Sequence, residues 1–177
     1  MNTFIARFIG ALALDASVFE QIEADRRAWV QSVVVAVAAA CGARIALLEF
    51  GVIDSGGFIV GLMIALGALL VWVSVVAVIG TYALAQPQTH SSVPELLRTL
   101  GFAAAPGVFL SLAAMPPAAP LIVTVVSIWM MAAAVIAIRQ SLDYDGTARA
   151  VGVCVLGGAL CCGTYIAIAL MLGRTVS

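Results

Sequence analysis

From Phe58 to Leu84 the chain carries no charged side chain, a run longer than the roughly 20 apolar residues that cross a hydrocarbon core of about 30 Å. A stretch of that kind constrains the fold because lipid offers the backbone no hydrogen bonds. A helix, which satisfies its own N–H and C=O groups, is the simplest structure that can cross. Comparable apolar runs recur through the rest of the sequence. With 64% hydrophobic and 10% charged residues, against about 25% charged in a soluble domain, the chain lacks the polar shell that a water-soluble fold needs. The expected fold is therefore all-α, a polytopic membrane bundle of about five transmembrane helices over 29–48, 58–84, 100–115, 120–138 and 150–172. Residues 28–177 form the membrane domain, and 1–27 form a cytoplasmic or interfacial helical segment.

The N-terminal segment places Phe4, Ile5, Phe8, Ile9 and Leu12 at helical spacing. It is too short to span and predicts an amphipathic helix lying on the membrane surface, or one packed against the protein's own bundle. Ser17 and Glu20 have the spacing of a capping box, which predicts a second, polar helix from there. Acidic residues through this segment argue against a cleaved leader, so the first apolar run is expected to stay in the protein.

Local signals divide the remainder. Arg44 lies close enough to the end of the first span to snorkel to the headgroups. Glu49, Asp54, Gly56 and Gly57 predict a polar connection. Ser92 and Glu95 repeat the capping-box spacing, with Pro94 in the first turn, where its missing N–H costs little. Pro106 falls inside the third span and predicts a kink. The short Pro116–Pro120 link makes the third and fourth spans an antiparallel hairpin. Asp143, Tyr144, Asp145 and Gly146 predict a turn.

Charge placement gives an orientation. With the N-terminus cytoplasmic, Arg7, Arg26, Arg27, Arg98, Arg139 and Arg149 lie inside, and only Arg44 and Arg174 lie outside. That distribution obeys the positive-inside rule. Every basic residue is Arg, in keeping with a GC-rich bacterial coding sequence and an inner-membrane location. A formal charge of -1 with no basic stripe gives no reason to expect nucleic acid as a partner.

Small residues supply expected packing faces. Gly57 and Gly61 form a G-x-x-x-G pair, continued by Ala65, and Ala150, Cys154, Gly158 and Cys162 recur every four residues. The cysteines, Cys41, Cys154, Cys161 and Cys162, read as packing residues and not as metal ligands, since no C-x-x-C spacing or second His accompanies them. His90 is the only His and reads as an ordinary loop residue. No catalytic, metal or cofactor site is expected. Ser74, Thr81, Ser111, Thr124, Ser127 and Thr164 are expected to bond back to their own helices.

Three segments carry a family resemblance: residues 11–25 (ALALDASVFEQIEAD), 96–107 (LLRTLGFAAAPG) and 138–143 (IRQSLD), with Trp129 in the fourth span. In that order they resemble bacterial members of the Yip1-domain family of integral membrane proteins. Where that family usually carries a Pro after the opening segment, this chain has Arg26 and Arg27. The resemblance implies a five-helix membrane domain with a cytoplasmic N-terminus and singles out Arg98, Gly101, Phe102 and Pro106.

The function expected is that of a non-enzymatic scaffold or adaptor acting through lipid, a membrane-protein partner or a second copy. The alternative is a small transporter or channel-like protein for a neutral or lipid-like solute. The spans hold no ionisable group beyond Arg44, which argues against ion-coupled transport.

Overall fold

The computed structural model describes residues 3–51, 53–86 and 91–175, with side chains through Gly163. Every regular element among them is helical. Helix α1 (Thr3–Leu12) and helix α2 (Ala16–Ala24) precede the long helix α3 (Ala28–Glu49). Helix α4 (Ser55–Val78) ends in a π-helical turn, Ile79–Ala83. Helix α5 (Val93–Ala103) continues as a 3-10 helix, Ala105–Ala114, and a short 3-10 turn at Pro116–Ala118 leads into α6 (Ala119–Ser141). Helix α7 (Thr147–Thr175) completes the described chain.

Four of these stretches are long and apolar enough to cross a membrane: Ala28–Glu49, Ser55–Ala83, Val93–Ala114 and Pro116–Ser141. The fifth expected span begins in α7, whose described apolar stretch, Thr147–Gly163, is shorter than the other four.

Capping explains where the helices begin. Asp54 accepts from the Gly57 N–H at 2.7 Å, so α4 starts at Ser55 and takes Gly56 and Gly57 into its first turn instead of leaving them in the connection. Ser92 and Glu95 form the expected capping box, with the Ser92 N–H donating to Glu95 Oε2 at 2.8 Å. At α2 the cap is Asp15, not Ser17. The Asp15 carboxylate accepts from the Ser17 N–H at 2.9 Å and from its hydroxyl at 2.8 Å, because an ionised acceptor outcompetes a hydroxyl at that position.

Three helices are followed by a residue in the left-handed region: Gly51 (φ 66) after α3 and, after the other two, residues that are not glycine. Leu14 (φ 60) follows α1 and Asp143 (φ 49) follows α6. In each case the two closing bonds of a Schellman motif are made: Asp15 N–H to Gly10 O and Leu14 N–H to Ala11 O, then Tyr144 N–H to Arg139 O and Asp143 N–H to Gln140 O.

The third span changes helix type just before Pro106. The chain leaves the α conformation at Ala104, and Pro106 falls in the first turn of the 3-10 helix, where the Gly107 N–H bonds back to Ala104 O at 2.8 Å. Changing the ladder to i→i+3 avoids the clash that Pro causes inside an α-helix. At about 1.5 Å per α residue and about 2.0 Å per 3-10 residue, Val93–Ala114 reaches about 36 Å, enough to cross.

This composite helix is the centre of the bundle. Its most apolar stretch is 61% buried, against 33% for α3, 17% for α4 and 33% for α6. Helix α3 packs along it by backbone contact. A Cβ at Gly42 would lie 2.8 Å from the carbonyl oxygens of Gly107 and Val108, and one at Gly107 would lie 2.9 Å from Ala39 Cβ.

Candidate functional site

The four residues singled out by the sequence gather along one face of α5 and the start of the 3-10 helix, all buried. Arg98 points toward α2, where its guanidinium donates to the backbone carbonyl of Glu23. One turn on, Gly101 lets α5 touch α3: a Cβ there would stand 2.7 Å from Ser32 Cβ and 3.0 Å from Ser32 O. The Phe102 ring is fully buried and meets Phe4 of α1 at 6.3 Å between centroids, tilted by 56°. Pro106 opens the 3-10 helix.

Of the four, Arg98 and Phe102 are the residues on which the N-terminal helices dock. Helix α1 turns Arg7, Gly10 and Ala11 inward. Arg7 donates to Gln31 Oε1 at 3.0 Å and to Asp25 Oδ2 at 2.8 Å. The backbone N–H of Arg27 and then the Arg7 guanidinium hold the Asp25 carboxyl below its usual range. At the other end of α1, Trp129 Nε1 donates to Leu12 O at 2.9 Å, with the indole stacked on Phe109 at 5.7 Å. The phenylalanines of α1 therefore face the bundle, and Ile5 (48% exposed) and Ile9 (51%) face outward. Helix α2 buries Phe19 and Ile22 against the bundle.

Beside this platform α2 and the α6–α7 connection enclose a polar cleft of about 440 Å³ lined by Glu20, Glu23, Arg139, Gln140, Asp143, Tyr144 and Asp145. Burial, and then the charges of Asp143 and Glu95, push the half-buried Glu23 carboxyl up to about 7. The connection is fastened to α4: Tyr144 Oη donates to Gly80 O at 2.9 Å, and a Cβ at Gly80 would strike Leu142 Cδ1 at 2.4 Å. Next to Tyr144, Gln86 Nε2 donates to Asp145 at 3.4 Å. Below, Thr99 and Ser141 share a fully buried hydroxyl pair at 2.7 Å. None of these long-range partners is signalled by periodicity in the sequence.

The expected packing glycines divide. Gly57 serves the cap of α4, and Gly61 makes room for Arg44, whose Cζ would lie 2.9 Å from a Cβ there. Cys154 is buried in the core, a Cβ at Gly158 would meet nothing within 4 Å, and Cys162 is exposed. The close approach falls one residue earlier, at Gly157, where a Cβ would lie 3.2 Å from Val76 Cγ2 and 3.4 Å from Trp72 Nε1.

Ser74, Thr81, Ser111 and Thr124 each donate to a carbonyl three or four residues earlier in the chain. His90 lies outside the described residues, as does the Thr164 side chain. Among the described residues no group of three or more His, Cys, Asp or Glu is placed to hold a metal. No family model, curated protein or solved structure matches the chain.

Proposed function

We propose that this chain is a non-enzymatic, Yip1-like membrane scaffold of five spans in a bacterial inner membrane, with its N-terminus cytoplasmic and its working face at the end where α1 and α2 dock. The observation that carries this reading is the way Arg98 and Trp129 hold the N-terminal helices. They fasten α1 and α2 to the bundle through backbone carbonyls, so that α1 presents Ile5 and Ile9 outward and α2 lines a polar cleft. The apolar strip on α1 suits contact with the acyl boundary, and the polar recess along α2 suits a protein partner or second copy. The Arg residues of 1–27, 86–98 and 139–149 support the orientation by charge.

Reporter fusions at residues 90, 145 and 177 test the topology. The expected result is cytoplasmic at the first two and external at the third; a cytoplasmic residue 177 overturns the five-span reading. Cross-linking in native membranes tests the scaffold itself. A defined cross-linked species that is lost in Ile5→Ser, Ile9→Ser protein supports it, and the absence of any partner or self-association overturns it.

The apolar cavities between α4 and the rest of the bundle favour, as a second reading, passage of a neutral or lipid-like solute. Liposome flux that is unchanged in the Gly101→Leu, Pro106→Ala variant would remove the route through the α5 hinge.

A further inference from the structure

Helices α3 and α4 meet through alanines. Ala40 and Ala43 oppose Ala65 and Ala68, and methyl groups are too short to close the gap between the two helices. A crevice of about 300 Å³ is left, reaching in to Trp72 and Met130. Those two residues also line a second apolar cavity of about 320 Å³. The flanking surface, Ile64 and Met63, is exposed and apolar, so the crevice is continuous with the face that meets hydrocarbon. A void of this kind forfeits dispersion contacts along its walls, and an apolar one does not hold water.

One helical turn from Ala40 and Ala65, which line the crevice, lies a charge. Arg44 stands one turn beyond Ala40, toward the end of α3, and its guanidinium lies over Gly61, where a Cβ would come within 2.9 Å of Cζ. Among the described residues no carboxylate lies within ion-pair distance of it, and its Nε is buried without a partner. The acid at the start of α4, Asp54, is occupied by the Gly57 N–H. A guanidinium at headgroup level is a planar donor fork suited to phosphate oxygens.

We propose that the seam between α3 and α4 binds an anionic phospholipid, with Arg44 on its phosphate and an acyl chain in the alanine-lined crevice. The inference requires that α3 and α4 span a bilayer and is independent of the scaffold reading.

Native mass spectrometry of the detergent-purified chain, titrated with phosphatidylglycerol, phosphatidylcholine or glycerol phosphate, tests it. One copy of phosphatidylglycerol should be retained about fivefold better than phosphatidylcholine, as expected for one cation near an anionic headgroup. Arg44→Gln should abolish that preference and Arg44→Lys should keep most of it. Ala40→Leu with Ala65→Leu should weaken retention of both lipids. Equal preference in wild type and Arg44→Gln, or glycerol phosphate binding as well as the lipid, overturns the proposal. If Arg44→Gln does not purify as a single species, the wild type at high salt takes its place, and a lipid preference insensitive to salt is then the overturning result.

Discussion

Arg98 donates its guanidinium hydrogen to the main-chain carbonyl of Glu23, while among the described residues the Glu23 carboxylate has no salt bridge. The cation best placed to neutralise that carboxylate is thus turned onto the backbone. Glu23 faces Glu20 on its own helix, Glu95 and Arg98 on α5, and Asp143 beyond α6, in the cleft that Arg139 and Asp145 also line.

Stability should therefore fall as pH rises through a defined window. The Glu23 carboxyl is raised from 4.5 to about 7, so between those values the folded protein binds the proton more tightly than the unfolded chain. The contribution of protonated Glu23 is complete below about 4.5, is lost as pH rises through about 7, and is flat above. Thermal unfolding in detergent between pH 4.5 and 8.5 checks this. Glu23→Gln should flatten the slope and raise Tm at pH 8, and a slope unchanged in that variant would assign it to other groups.

Asp143 combines two costs in one residue, a left-handed backbone and a like charge next to Glu23. Asp143→Gly should stabilise the protein by about 0.5–1 kcal/mol and move the Glu23 transition to lower pH. Asp143→Ala keeps the strain and removes the charge, so it should shift the transition without the full gain. Chemical denaturation at pH 5 and pH 8 separates the two effects.

Gly101 has no room for a side chain. Gly101→Ala should cost about 1–3 kcal/mol, since α5 must move away from α3 or Ser32 must give. Ser32→Gly removes the nearest contact and should recover part of the loss, although Ser32 O remains at 3.0 Å. No recovery in the double variant would mean that the clash lies elsewhere.

Trp129→Phe removes the bond to Leu12 O but leaves an aromatic ring for Phe109. The expected loss is about 1 kcal/mol, confined to the N-terminal helix. Hydrogen exchange should rise in α1 and remain unchanged in α3 and α6; exchange that rises uniformly would argue against a local tether.

Much of this architecture is legible in the sequence because it follows from short-range rules. The apolar runs mark the long helices, and Ser92, Pro94 and Glu95 mark the start of α5. What escapes sequence reading is of two kinds. One is phase: Asp15 displaces Ser17 as a cap, Gly157 takes the close contact in place of Gly158, and the chain meets Pro106 by tightening to 3-10. These outcomes depend on what lies opposite, which periodicity does not record. The other is pairing over distance. Arg98 with Glu23, Trp129 with Leu12 and Tyr144 with Gly80 join groups 75, 117 and 64 residues apart, and one partner in each is a backbone carbonyl that every residue type possesses.

The π turn at Ile79–Ala83 fixes a count as well as a shape. A wider turn takes up a residue that a regular helix would spend on further rotation, so the end of α4 is indexed against Tyr144 and Leu142 at Gly80. Deleting Thr81 would let the segment revert to ordinary winding with the residues on either side still in phase, whereas the same deletion from a regular helix would swing everything after it by about 100°. Gly80 precedes the deleted position, so its carbonyl and its niche for Leu142 would still face the α6–α7 connection, and the wide turn acts as one residue of slack beneath that contact.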